Sequence, residues 1–258
     1  MGHPELDLSS KTAVVIGGTS GIGLAIAKGL AQAGANVVPT GRRQELVDSA
    51  AGQIKQLGRE TLAVPSDVTS HTSLQHLCSA VRVQFGEVDI LVNCAGITKR
   101  KPTLEVSDSE WNGILETNLT GTLRACQIFG RHMIARNYGR IINIASLASF
   151  VGLYEVAAYT ASKAAVAGLT RSLAVEWARY GVCVNAIAPG VFRTELNTAL
   201  LDGTPRGEEF RLRTPMRRFG KVDELAGAAV FLASDAASFV TGHLLAVDGG
   251  FLASGVNQ

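Results

Sequence analysis

The chain has 258 residues, 24 Lys and Arg against 22 Asp and Glu, and a hydrophobic fraction of 47%. That is enough apolar sequence for a substantial core. A net charge of +2 excludes the large one-sign field of a nucleic-acid or anionic-membrane binder.

Cys78, Cys94, Cys126 and Cys183 are scattered and show no CxxC spacing. They predict buried, reduced thiols rather than a disulfide framework, and no metal site is expected. The first residues, MGHPELDLSSK, contain no apolar signal-peptide run, and Leu6 stands where a myristoylation signal needs Ser or Thr. No apolar stretch reaches the length of a membrane span. The sequon at Asn118 is expected to be empty, and a soluble cytoplasmic protein is expected.

Short Val/Ile-rich runs alternate with helical segments along the chain. TAVVIGG at 12–18 reads as a buried strand. It is followed by a helix with Ile22, Ile26 and Leu30 on one face and Gly34 as its stop. NVVPT at 36–40 is a second strand, with Pro39 expected near its end because strand interiors tolerate Pro poorly. A polar helix follows over 43–57. TLAVPS at 61–66 predicts a third strand, and 71–85 another helix.

VDILVN predicts the fourth strand, and 108–136 a single long helix capped by Asp108. GRIINIAS is the fifth strand, 159–180 a long helix, GVCVNAIAP the sixth strand, 223–233 a helix and GHLLAVDGG the seventh strand. Continuous apolar strands between helices imply an α/β Rossmann-type doubly wound fold, with a mostly parallel seven-stranded sheet covered on both faces. No linker or repeat interrupts it, so residues 1–258 read as one domain. Residues 191–220 resist assignment and read as a lid.

IGGTSGIG joins the first strand to the first helix. Gly17, Gly21 and Gly23 allow a sharp turn and close approach, and the helix start offers N–H groups to a pyrophosphate. The second strand then ends in TGRR. An acidic residue there would suit the ribose of NAD, whereas Arg42 and Arg43 suit a 2′-phosphate. NADP(H) is therefore expected.

With these motifs in hand, the chain resembles the short-chain dehydrogenase/reductase family over nearly its whole length. The resemblance rests on the glycine turn, SDV at 66–68, NCAG at 93–96, TNLTG at 117–121, INIAS ending at Ser146, YTASK at 159–163, APGVFRTEL after the sixth strand, and VDGG at 247–250. It implies that Thr19, Ser20 and Ile22 join the turn glycines on the cofactor. Asp67 and Val68 would hold the adenine, and Asn93, Ala95 and Gly96 would line the cofactor's middle. Pro189, Gly190, Phe192 and Thr194 would hold the nicotinamide end. Ile16 replaces a usual Thr and Cys94 a usual Asn; both positions read as structural.

Tyr159 and Lys163 at i and i+4 share a helix face. A neighbouring ammonium would lower the phenol's pKa and make Tyr159 the general acid/base. By resemblance, Lys163 also binds the nicotinamide ribose. Ser146, at a strand's carboxyl end, would orient and polarise the substrate oxygen. Asn118, by resemblance, distorts its helix and holds a proton-relaying water.

The substrate end begins with GITKRKP. Lys99, Arg100 and Lys101 would face an anion or form a solvated basic loop. Here and at the C-terminus the chain resembles gluconate 5-dehydrogenases and related sugar-acid dehydrogenases, which implies that Arg100 contacts the acid. Tyr154 and Glu155 are candidate partners of polyol hydroxyls, with Glu155 alternatively a cap or a solvated carboxylate. Phe192, Leu196, Leu200, Leu201 and Phe210, with Arg206, Arg211 and Arg213, are candidate lid residues.

The expected function is reversible oxidation of a secondary alcohol to a ketone on a small molecule. A 3-oxoacyl-acyl-carrier-protein reductase is the alternative, and a non-catalytic NADP(H)-binding regulatory module a second. The resemblance and the small-residue face of ASKAAVAGL imply a homotetramer, with no nucleic-acid or membrane partner.

Overall fold

The computed structural model describes residues 4–194 and 198–257. Six parallel strands form one sheet: β1 (Thr12–Ile16), β2 (Asn36–Thr40), β3 (Ile90–Asn93), β4 (Gly139–Ile144), β5 (Val182–Pro189) and β6 (Leu244–Val247), in the order β2-β1-β3-β4-β5-β6. The helices are α1 (Gly21–Gln32), α2 (Gln44–Gln56), α3 (His71–Phe85), α4 (Asp108–Leu115), α5 (Gly121–Ala135), α6 (Ala157–Trp177), α7 (Thr198–Leu201), α8 (Pro205–Arg213) and α9 (Ala226–Ala233).

Both sheet faces are covered, and β1 shows how. Ala13 and Val15 join a core with Ile26 and Leu30 of α1 and Leu232 of α9. Val14 and Ile16 point the other way, to Leu74 and Leu77 of α3 and Phe129 of α5. The side-chain period of two therefore divides one apolar strand between two cores. Each such fully buried Leu or Ile contributes about 1.5–3 kcal/mol.

The predicted third strand at 61–66 is absent, leaving six strands among the described residues instead of seven. That segment does run beside β2: the Val37 N–H donates to Glu60 O at 3.1 Å, and the Ser66 N–H to Gly41 O at 2.9 Å. Between those bonds lies Pro39, which has no N–H to donate, so the ladder breaks there. Pro39 is the penultimate residue of β2, paired with Val15 on its inner side. It is tolerated because β2 is the edge of the sheet.

The single helix expected over 108–136 is two helices joined by a π-helical turn at Glu116–Thr120, where the Gly121 N–H reaches back to Glu116 O. Its cap is Ser107, not Asp108. Ser107 accepts from the Glu110 N–H while Glu110 bonds back to the Ser107 N–H, a reciprocal capping box. The long helix expected from 159 begins at Ala157 and tightens into a 3-10 turn at Ala178–Tyr180. The helix expected over 223–233 opens as a 3-10 turn at Val222–Leu225.

Residues 191–220 leave and rejoin the body at one place. The Gly220 N–H bonds to Val191 O at 2.9 Å, and a Cβ on Gly220 would lie 2.4 Å from the Phe192 ring. Within this excursion α7 and α8 pack so tightly that a Cβ on Gly207 would overlap Leu201 O at 1.8 Å. The Phe210 and Phe251 rings meet at 6.3 Å, which seats α8 on the C-terminal segment. Leu196 and the Leu200 side chain lie outside the described residues.

Candidate active site

β1 pairs with β2 on one side and β3 on the other, so the chain reverses direction around it. Ligands of open α/β sheets bind at the carboxyl edge beside such a reversal. The expected site residues converge there.

Gly17 has φ +78°, and a Cβ on it would lie 2.6 Å from Ala95 N. The turn after β1 is therefore closed against the turn after β3, and only Gly fits. Gly23 packs as closely, a Cβ there falling 2.0 Å from Gly17 O. Gly21 differs: a Cβ would meet only Thr194, at 3.6 Å. This marks a cleft between the start of α1 and the chain after β5. Ser20, the N-cap of α1, makes no side-chain cap bond, whereas Ser70 and Ser107 cap α3 and α4. The first turn of α1 thus keeps N–H donors for an anion, which fits a pyrophosphate. Thr19 and Ile22 flank the same turn.

At the end of β2, Arg42 and Arg43 are exposed and form no ion pair among the described residues. Nearby, Asp67 accepts from the Thr69 N–H at 2.9 Å and the Thr69 hydroxyl at 2.8 Å. Burial pushes the Asp67 pKa up, but those two bonds and the charge of Arg42 outweigh it and hold the carboxylate below its ordinary value. Val68 is buried against α5, where a Cβ on Gly121 would lie 2.7 Å from Val68 Cγ2. Two guanidiniums with spare donors fit a 2′-phosphate better than a bare ribose.

The reactive end lies past β3, β4 and β5. Lys163 is buried and donates from Nζ to Ile144 O at 2.6 Å. Its Nζ lies 5.8 Å from the centre of the Tyr159 ring. A Cβ on Gly96 would stand 3.6 Å from that Nζ and 3.4 Å from Asn118 Oδ1. Ser146, at the end of β4, accepts from the Ala148 N–H at 3.1 Å, and its hydroxyl is near enough to Tyr159 to work against the rise in that phenol's pKa.

The electrostatics depart from the sequence expectation. Burial raises the Tyr159 pKa above its ordinary value, the Ser146 bond opposing it. Burial also lowers Lys163 to about 8. Loss of solvation penalises both charges and outweighs the attraction of the ammonium for a phenolate, so the phenol is raised in net. Tyr159 therefore keeps its proton at neutral pH. Burial likewise raises the Cys94 thiol to about 11, against the pull of Lys163, so this unusual cysteine is an uncharged packing group. All four cysteines are free.

Asn118 sits in the π turn with no exposed surface, so its sequon is inaccessible. Its Oδ1 accepts from the Ile97 N–H at 2.8 Å; its Nδ2 donates to Ile97 O at 2.9 Å and to Ser162 Oγ at 3.0 Å. Ser162 in turn donates to Tyr159 O at 2.7 Å. Sequence reasoning missed Ser162, although its place three residues after Tyr159 puts it on the same helix face. Asn93 turns inward, donating to Asn143 Oδ1 at 2.9 Å. Gly190 is pressed on Asp248, a Cβ there lying 2.7 Å from Asp248 Cα, at the end of the strand closed by Pro189. The Phe192 side chain is buried in the core shared by α1 and α9.

The basic loop is not free to meet a ligand as a block. Lys99 and Lys101 both bind Glu110, at 2.5 and 3.1 Å. Arg100 Nε donates to Glu155 Oε2 at 2.7 Å, and its guanidinium lies 6.0 Å from the ring centre of exposed Tyr154. Arg206 Nη1 on α8 donates to Tyr154 O at 3.2 Å. Between α7, α8 and Phe219 lies a cavity of about 570 Å³ lined by Leu201 and Arg211. Arg213 lies over the Phe251 ring at 5.5 Å.

A family model described as enoyl-(acyl carrier protein) reductase matches residues 17–252. The chain is 42% identical to the gluconate 5-dehydrogenase of Gluconobacter oxydans, over 98% of this chain and 100% of that one. It is 43% identical to the 2-dehydro-3-deoxy-D-gluconate 5-dehydrogenase of Bacillus subtilis, over 97% and 98%. A gluconate 5-dehydrogenase from Burkholderia cenocepacia, solved in complex with NADP and tartrate, superposes with a TM-score of 0.92 at 40% identity, covering 97% of this chain and 98% of that one. From glycine turn to final strand, the chain belongs to the short-chain dehydrogenase/reductase family.

Proposed function

We propose that the protein is an NADP(H)-dependent oxidoreductase that interconverts a secondary alcohol and a ketone on a sugar acid. One observation carries the reading: Ser146, Tyr159 and Lys163 converge at the carboxyl edge, beside a glycine turn followed by two arginines with no ion pair among the described residues. Relatives named for gluconate chemistry, at about 40% identity over nearly the whole chain, support the substrate class.

The uncapped start of α1, with Thr19, Ser20 and Ile22, would hold the pyrophosphate, and Arg42 and Arg43 the 2′-phosphate. Asp67, Val68, Ala95, Gly96, Pro189, Gly190 and Thr194 would line the rest, with Phe192 acting through its backbone. NADPH, when bound, supplies the hydride that the carbonyl carbon accepts.

The protein's part is proton control. Ser146 and Tyr159, neighbours at the carboxyl edge, present two hydroxyls to the carbonyl oxygen. As negative charge builds there, Tyr159 gives up its proton to it. Lys163 favours the resulting phenolate by its charge. Ser162 and Asn118 hold the Tyr159 backbone and the Gly96–Ile97 loop in register. Both donors of the Asn118 amide are used, and its main-chain carbonyl accepts from the Thr122 hydroxyl at 2.8 Å.

Residues 1–258 act as one domain in this reading, with 191–220 as the substrate lid. Val175 on α6, Leu104 and Phe239 expose their apolar side chains almost fully. They are candidate contacts of a homotetramer, which light scattering tests through the mass in solution. Four unpaired thiols suit a reducing compartment, and the cytoplasm is the proposed location.

The direct test is a panel of sugar acids, neutral polyols and 3-oxoacyl thioesters, read by NADPH absorbance. Turnover concentrated on the sugar acids is expected. Turnover confined to thioesters would replace this reading with the acyl-carrier one. In the same assay Arg42→Asp should move the cofactor preference from NADPH toward NADH.

A further inference from the structure

Two guanidiniums from distant parts of the chain meet around one short segment. Arg100, four residues after Gly96, reaches Glu155; Arg206, from the lid helix α8, reaches the carbonyl of the preceding residue, Tyr154. Arg206 is half-buried, packed over the Phe210 ring at 5.4 Å. Glu209, one turn on, is drawn to Arg213 at 3.8 Å. Glu155 is thus the carboxylate that pairs with Arg100, and its charge also acts on Arg206. Burial, followed by the charge of Arg100, lowers the Arg206 pKa, while Glu155 and Glu209 oppose it. Such a pair of like charges is held together at a cost, and a second anion would relieve it.

Two further features mark Glu155 as a stand-in. It contacts Arg100 through Nε alone, whereas a carboxylate on an arginine commonly engages the two-pronged fork. Its backbone lies at φ +61°, the left-handed region that non-glycine residues avoid. Such strain of about 1–3 kcal/mol clusters where function requires it. The segment also leads straight to the reactive end, with Tyr159 four residues beyond Glu155.

We propose that Arg206 is a specificity-determining residue which, with Arg100, receives the substrate's carboxylate, Glu155 holding that place in the free protein and yielding it on binding. The inference rests on the sugar-acid reading above and adds the lid to it: the acid's charge fastens α8 over the loop at 100 while its carbonyl end lies at Tyr159. A neutral polyol lacks the group that would bridge the two arginines, so the same contacts set acid above polyol.

The test is titration of the NADPH-loaded protein with tartrate, a small carboxylate whose binding needs no turnover. Arg206→Gln should raise its dissociation constant about tenfold or more, Arg206→Lys should keep much of the affinity, and Glu155→Gln should tighten binding. In turnover, Arg206→Gln should raise KM for a sugar acid far more than it changes kcat. Unchanged tartrate affinity in folded Arg206→Gln overturns the inference, as does weaker binding in Glu155→Gln. If tartrate binding depends on Arg206 but no sugar acid is turned over, the clamp stands and the functional reading falls.

Discussion

The two edges of the sheet use charge in opposite ways. At the amino edge, Asp89 accepts from the Thr12 N–H at 2.8 Å and from Arg136 at 2.9 Å. Buried Arg140 bonds Asp235 at 3.3 Å. Lys11, Arg140 and Arg136 surround the Tyr138 ring at 4.0, 4.7 and 5.4 Å. Each of these named charges meets an opposite charge or the Tyr138 ring within the fold. At the carboxyl edge, Lys163 has one carbonyl, Tyr159 lies beside Ser146, and Arg42 and Arg43 have no ion pair among the described residues. The first arrangement ties strands β1, β3 and β4 together. The second leaves polar capacity for a ligand. The lesson is that buried charge means stability where it is paired and chemistry where it is held short of a partner.

This contrast can be broken from either side. The largest effect belongs to the carboxyl edge. Lys163→Met should cut kcat about 10²–10⁴-fold, the range of lost acid–base assistance, with the denaturation midpoint kept or raised, since a buried ammonium is removed. At the amino edge, Asp89→Ala should leave kcat intact but cost about 1–3 kcal/mol in urea unfolding, because the Thr12 N–H loses its partner and Arg136 keeps only the Val88 carbonyl. A large loss of turnover in Asp89→Ala would erase the distinction between the edges.

The smallest effect is in the pH profile. Lys163 is lowered to about 8, so its charge is present below that pH and lost above it. Tyr159 is raised and keeps its proton through the same range. The reductive kcat/KM should be level below pH 8 and fall above it. Alcohol oxidation, which needs Tyr159 deprotonated, should rise with pH. A reductive rate that climbs past the Lys163 pKa would contradict the assignment.

Much of this was legible in the sequence, and the failures have physical causes. The strand-turn-helix rhythm and the glycine turn are local signals, and they survive packing. The strand at 61–66 reads as β-rich, but a ladder needs donors on its neighbour, and Pro39 removes one. The break in the helix at 116–120 falls at Asn118, where only the family resemblance expected a distortion; the bonds of Asn118 to Ile97 and Ser162 are contacts that no local pattern carries. KRK reads as a free basic cluster, yet Glu110 and Glu155 engage all three residues from other segments. The Tyr159–Lys163 spacing was plain, but the direction of their pKa shifts depends on burial, which is a property of the folded chain.

The most direct measurement of the central claim is NADPH oxidation with a keto sugar acid, comparing the wild type with Tyr159→Phe, alongside NADPH binding by fluorescence. Loss of about 10²–10⁴-fold in kcat with cofactor affinity within a few-fold is the predicted result. Near-normal turnover in Tyr159→Phe would contradict the account.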